Sequence, residues 1–188
     1  MNLREITIKD EELLNELYNE VVENTKENTF EGFRELSTLK NTTYKDWLAD
    51  LELKKDKKNL PDDYSPQINY LAFKENNLVG VITIRWELVP ILEFYGGNIG
   101  YLVRPSERRK GYGKEIAKKL AKIAGVDIES YGKEMLKELL DTKVKGKLDK
   151  VLITCMETNI ASSKLIKTLG GIYDSKVYVP EEGCNYLK

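Results

Sequence analysis

The chain has 188 residues, 41% hydrophobic and 32% charged, with a formal net charge of −1. That length and apolar content fit one globular domain spanning 1–188 with its own core, and the near-neutral balance gives no reason to expect a nucleic-acid or anionic-membrane partner. The complete lack of histidine, with two cysteines, removes the usual general base and the usual metal cages, so no metal is expected. Met1 is followed by NLREITIKD rather than by an apolar run, and no window approaches the ~20 apolar residues of a membrane span. Two cysteines in such a chain suit a reducing cytosol, so a cytoplasmic protein is expected.

In chain order, Leu3 to Ile8 alternates as a first strand. Asp10 caps a helix with Leu13, Leu14, Leu17 and Val21 on its buried stripe. Residues 28–42 read as irregular. Thr42 or Thr43 opens a second helix carrying Trp47, Leu48 and Leu51, which fades into a lysine-rich stretch ending at Pro61. A loop through Asp62, Asp63 and Pro66 precedes INYLAFKENNLVGVITIRWEL, two strands joined at Glu75-Asn76-Asn77. Residues 98–104 and 150–155 are predicted strands linked by a helical crossover at 113–146. Asn159 begins a helix with Ala161, Leu165, Ile166 and Leu169 on one face, stopped by Gly170-Gly171. Ile172 to Val179 and Cys184 to Leu187 are the last strands. The sum is an α+β domain: a mixed, mostly antiparallel central sheet with helices on both faces.

Charge is unevenly spread. Lys9 to Glu31 holds eight acids and two lysines, whereas Arg104 to Lys122 holds eight bases and two acids. The basic cluster abuts Arg108-x-x-Gly111-x-Gly113, placed between a strand and the start of a helix. Glycines there let successive amides point into one concavity, and the helix start adds unpaired N–H groups and the positive end of its dipole. A diphosphate is the natural guest. Tyr112-Gly-Lys-Glu-Ile116 recurs nineteen residues on as Tyr131-Gly-Lys-Glu-Met135. This reads as a tandem helix duplication inside the crossover. The second copy lacks the preceding Arg-x-x-Gly and is not expected to make a second phosphate site.

The stretch GYLVRPSERRKGYG, the strand VLITC and the helix opening Asn159-Ile-Ala-Ser162 together resemble the GNAT superfamily of N-acetyltransferases, most clearly over about residues 66–173. The resemblance implies a splayed pair of parallel strands, here 98–104 and 150–155, with acetyl-CoA as cosubstrate between them. It places the pantetheine along Leu102 and Val103. The pyrophosphate falls on Arg108, Arg109, Lys110, Gly111, Tyr112, Gly113 and Lys114, with Asn159 and Ser162 reaching the cofactor from the last helix. The implied chemistry is direct attack of a small-molecule primary amine on the thioester, with backbone amides holding the oxyanion.

Two departures stand out. Asn98 occupies the position where many members carry a titratable group, and Ile166 stands where many carry a tyrosine acid. Asn98 as a water-orienting group, Glu87 as a base and Tyr173 as an acid are the replacements nominated, with Glu93, Tyr186 and Trp86 as further neighbours. A CoA-binding protein without catalysis, or an engineered duplicated-helix scaffold on this fold, are the alternatives, and a homodimer is left open.

Overall fold

A computed structural model describes residues 1–24, 30–123 and 151–188. Its larger sheet has the order β1-β2-β3-β4, antiparallel throughout: β1 (Asn2–Glu5), β2 (Gln67–Lys74), β3 (Asn77–Arg85) and β4 (Ile99–Val103). β2 and β3 form the expected hairpin. Lys74 pairs with Asn77 across a two-residue loop in which Glu75 takes a positive φ of 55°. Both faces of the sheet are covered, which explains why β2 and β3 read as nearly continuous apolar runs rather than as alternating ones.

One face carries α1 (Glu11–Asn24) and α2 (Tyr44–Leu53). Leu14, Leu17 and Val21 of α1 and Tyr44, Trp47 and Leu51 of α2 pack with Phe33 and Leu36 onto Leu71, Val81 and Leu102. The α1 stripe thus falls where its 3.6-residue spacing puts it. Thr43 caps α2, its hydroxyl accepting from Asp46 N. Between the helices, Arg34–Asn41 winds as a 3-10 helix where the sequence suggests irregular chain, and Trp47 Nε1 donates to Glu35 O at 2.9 Å to fix it.

The opposite face buries Ile68, Tyr70, Ile82, Ile84 and Ile99 under Ile116 of α3 (Tyr112–Ile123), with Tyr101, Val103, Val151 and Ile153 packed alongside. The recurrence at Tyr131–Met135 lies outside the described residues.

A second, smaller sheet has the order β5-β7-β6, from β5 (Cys155–Met156), β6 (Lys176–Val179) and β7 (Cys184–Leu187). α4 (Ile160–Thr168) lies between β5 and β6 in the chain. Two predicted strands shrink here. Ile172 to Ser175 precede β6 rather than joining it, and residues 151–154 carry no ladder. The predicted inner face of α4 also shifts. Ala161 is exposed, and Ser162 is the helix's buried residue.

The two sheets meet at Asn98. Its backbone N–H donates to Leu152 O at 2.8 Å and its Oδ1 accepts from Leu152 N at 2.9 Å. Its Nδ2 donates to Arg85 O at 3.0 Å, and its carbonyl accepts from Arg85 N at 2.7 Å. Asn98 is 5% exposed. Both ends of its amide serve backbone, so the side chain ties β3 and β4 to residue 152. Asn98→Ala orphans buried peptide groups, and we expect a loss of about 2–4 kcal/mol in urea unfolding.

Candidate active site

Beyond the Asn98–Leu152 contact no backbone ladder joins the two sheets among the described residues. β4 pairs with β3 alone and β5 with β7 alone, so the parallel pair expected at 98–104 and 150–155 is fastened at one end and forms no ladder among the described residues. The bonds Arg85 N to Asn98 O and Arg104 N to Val79 O set the phase of the β3–β4 ladder. Peptide groups of an antiparallel pair alternate in direction. Those of Gly100 and Leu102 therefore face β3, whereas those of Tyr101 and Val103 face the open edge. Leu102 is thus a core residue whose peptide is already paired. The open-edge positions are its two neighbours.

At the far end of β4 the chain turns through Pro105–Glu107 into the basic loop. Glu20 of α1 holds that turn in place, accepting from Arg104 Nε and from Ser106 N, each at 2.5 Å. Arg108 Nε donates to Val103 O at 3.3 Å, and Lys110 Nζ pairs with Glu107 at 3.0 Å. Arg109 and Gly111 both have positive φ, 65° and 83°. A left-handed arginine costs about 1 kcal/mol that glycine avoids. Lys114 N and Glu115 N both donate to Gly111 O, closing the first turn of α3. Among the described residues, no hydrogen bond that shapes the loop uses the N–H of Gly111, Tyr112 or Gly113. A Cβ built on Gly111 would meet nothing within 4 Å, and one on Gly113 would lie 3.5 Å from Leu165 and 3.8 Å from Val103. The loop, the end of β4 and α4 therefore converge.

α4 starts at Asn159, whose Oδ1 accepts from Ser162 N at 3.1 Å while its Nδ2 donates to Glu31 Oε2 at 3.4 Å. Ser162 is 8% exposed, and its Oγ lies 2.8 Å from the Tyr101 hydroxyl. Burial pushes the Tyr101 phenol above its ordinary range. The bond to Ser162 opposes that, and the Cys155 thiol and the Glu31 carboxylate add to it. Burial likewise pushes the Cys155 thiol up, with Glu31 adding. Tyr101, Ser162, Cys155, Asn159 and Glu31 thus gather where the sheets part.

Glu31 reaches this point because residues 30–33 lie against β4. Gly32, at φ 84°, approaches so closely that a Cβ on it would lie 1.9 Å from Tyr101 O, and a Cβ on Gly100 would lie 2.6 Å from Gly32 O. Only a glycine pair permits that crossing. Beside it, Arg34 pairs with Glu182 at 2.6 Å and sits 5.8 Å above the Tyr95 ring, which contacts the Tyr186 ring at 5.4 Å.

Of the nominated residues, Val103 meets Arg108 and Gly113, and Asn159 meets Ser162. Glu87 lies exposed beyond β3, Glu93 is exposed, and Trp86 packs on the core. Tyr173 is 57% exposed. Tyr186 is buried, its phenol pushed up to about 12 by burial and then by Glu182 and Glu31. The sequence reading missed Tyr101 and Glu31. The odd positions of IGYLV signal Tyr101, because they alternate away from the α1/α2 face. No local pattern marks Glu31.

A family model described as an acetyltransferase (GNAT) domain matches residues 1–172, and the chain belongs to that family. No curated protein sequence matches it. Solved structures do. An acetyltransferase of the GNAT family from Streptococcus pneumoniae superposes with a TM-score of 0.58 at 16% identity, covering 99% of this chain and 95% of that one. Mutant forms of the spermidine/spermine N-acetyltransferase SpeG from Vibrio cholerae give 0.54 at 10% identity, covering 99% and 90%. The smu.2055 protein from Streptococcus mutans UA159 gives 0.53 at 19% identity, covering 100% and 96%. Identities this low establish the fold, and the fold is that of GNAT acetyltransferases. Among the described residues, no helix is long and apolar enough to cross a membrane.

Proposed function

We propose that the chain, as a single domain in the cytosol, transfers the acetyl group of acetyl-CoA to the primary amine of a small molecule by direct attack. The observation that supports this reading is the approach of Gly113 to Val103 of β4 and Leu165 of α4, in a loop where no hydrogen bond among the described residues uses the N–H of Gly111, Tyr112 or Gly113. That donor set, ringed by Arg108, Arg109 and Lys110, matches a diphosphate in charge and geometry. The extended arm of the same molecule would run along the Tyr101–Val103 edge as an added strand. Acetyl-CoA supplies an activated thioester, and the residues do the rest.

Glu31 removes a proton from the incoming ammonium, and the free lone pair attacks the carbonyl carbon. The open-edge N–H of Tyr101 steadies the oxyanion. Collapse breaks the C–S bond, and the Tyr101 phenol gives its proton to the departing sulfur while Ser162 holds the ring's oxygen. Glu31 releases that first proton to solvent before it accepts the second nitrogen proton, which it releases in turn, and Tyr101 is reprotonated from solvent through Ser162. One proton ends on sulfur and one in solvent. An amine at the centre is nucleophilic once neutral, so Cys155 need not form an acyl intermediate.

Turnover of an amine panel, read as released thiol, tests this. We expect thiol release that requires both acetyl-CoA and an amine. Acetyl-CoA binding with no turnover on any amine would leave the chain a CoA-binding protein, and no binding at all would end both readings.

A further inference from the structure

α1 does more for the basic loop than cover the sheet. Its Glu20 reaches the chain as it leaves β4. Glu20 Oε2 accepts from Arg104 Nε and Oε1 from Ser106 N, each at 2.5 Å, and Arg104 Nη2 lies 3.5 Å from Glu16. The pair is largely enclosed, with the Glu20 side chain 16% exposed and that of Arg104 20%. Burial alone would raise the Glu20 carboxyl. The Ser106 amide and the Arg104 guanidinium outweigh it and hold the group below its ordinary range, so it is ionised at neutral pH. These bonds complete the backbone of the turn. Arg104 N donates to Val79 O, Glu107 N to Arg104 O and Arg108 N to Pro105 O. Pro105 has no N–H, so Ser106 N is the remaining donor, and Glu20 takes it. Each backbone N–H from 104 to 108 thus has its acceptor, and the loop of Gly111 to Gly113 starts from a fixed base. A carboxylate is nonetheless an unfavourable neighbour for an anion site. Its charge repels a diphosphate, and it engages an arginine that could otherwise turn toward the phosphates. Charge alone gives Glu20 the wrong sign, and only the shape it imposes on 104–108 favours binding.

We propose that Glu20 is a positioning residue for acetyl-CoA: by anchoring Arg104 and Ser106 to α1, it keeps the Arg108–Gly113 loop in the shape that receives the diphosphate. The proposal deepens the acetyl-transfer reading and rests on it for the identity of the ligand. Without the anchor the loop is ordered only when the ligand arrives, and that ordering subtracts from affinity. The loss falls on the diphosphate half of the molecule. The thioester arm follows the edge of β4, which β3 holds independently through its ladder from Gly80–Val103 to Ile84–Ile99.

The test is calorimetric. Acetyl-CoA and S-acetylpantetheine, which has the same thioester arm and no diphosphate, are titrated into the full chain and its variants, and each melting temperature is recorded. Glu20→Gln keeps the size and one acceptor oxygen and removes the charge. It is expected to weaken acetyl-CoA binding about tenfold, the scale of one lost charge-assisted bond, and to leave S-acetylpantetheine within about twofold. Glu20→Asp restores the charge on a shorter stem and should recover part of the loss. Asp10→Asn breaks the Arg4–Asp10 ion pair just ahead of α1. It should lower the melting temperature and leave both affinities as they were. Acetyl-CoA bound by Glu20→Gln as tightly as by the unaltered chain, or more tightly, overturns the proposal, because charge rather than shape then governs the site. An equal loss of both thioesters overturns it too, as does a loss in Asp10→Asn that matches the one in Glu20→Gln, since either marks general damage to the fold. An unaltered chain that binds no acetyl-CoA brings down the acetyl-transfer reading and the proposal with it, so the first titration separates the two failures.

Discussion

Gly111→Glu is expected to abolish binding of acetyl-CoA, with calorimetric affinity falling by more than about a hundredfold. The figure follows from losing at least one or two charge-assisted backbone bonds, each worth about 1.5–3 kcal/mol, and from placing an anion in a concavity built for one. The fold should survive. A Cβ at this position meets nothing within 4 Å, so the protein itself has room for the side chain. What remains is the left-handed φ of 83°, which costs about 1 kcal/mol for any residue with a Cβ. Gly111→Ala carries that same strain without the charge and should lose far less affinity. The pair thus separates backbone strain from occupation of the phosphate site. Arg108→Ala is expected to weaken binding in a salt-dependent way, both through its charge and because its Nε holds Val103 O. The exposed Lys58→Ala is the fitting control for bulk charge. Neighbouring Lys57 is unsuitable because its Nζ ties down the carbonyls of Pro61, Asp62 and Tyr64. Unchanged affinity in Gly111→Glu would remove the loop from the site.

The parts of this molecule legible in its sequence are those governed by short-range rules. The hairpin at Glu75-Asn76, the cap at Thr43, the α1 stripe and the loop 108–113 all rest on spacing or on one residue's backbone preference, and each stands where the spacing puts it. Asn159 was legible as a cap. It caps α4 through Ser162 N and turns its other amide end to Glu31. What the sequence hid depends on contacts between distant segments. Glu31 belongs to a stretch without periodicity, and it reaches the parting of the sheets because Gly32 and Gly100, 68 positions apart in number, leave a space that neither reveals alone. Arg34 meets Glu182 across most of the chain. Tyr101 sits in a strand whose alternation is legible, but its partner Ser162 was expected to reach the cofactor and no local pattern tied it to Tyr101. Asn98 shows a structural use that its sequence position does not reveal. A polar residue opening a central strand suggests chemistry, and its amide also bonds the backbone of Arg85 and Leu152.

Tyr101→Phe is expected to lower kcat by about tenfold to a hundredfold, with KM for acetyl-CoA and the melting temperature little changed. General-acid assistance is commonly worth about 10² or more. The lower end applies here because a thiol, with an ordinary pKa of about 8.5, is a competent leaving group even without a proton donor. The pH dependence gives the sharper signature. A proton donor works while protonated, so kcat in the unaltered protein should hold up through neutral pH and fall as pH rises through the phenol's pKa. Burial, with Cys155 and Glu31 adding to it, holds that pKa above the tyrosine range near 10, and the falling limb should lie there. Tyr101→Phe should lose this limb, because phenylalanine has no proton to surrender. A fluorotyrosine at position 101, with a more acidic phenol, should move the limb to lower pH. Ser162→Ala removes the group 2.8 Å from the hydroxyl and keeps the proton donor. It should therefore reduce kcat by less than Tyr101→Phe while retaining an alkaline limb. A merely packing role for Tyr101 predicts none of this, since phenylalanine fills the same volume. If Tyr101→Phe kept both kcat and the alkaline limb, the proton would have to reach sulfur from solvent, and the phenol's place beside Ser162 would be a matter of fold alone.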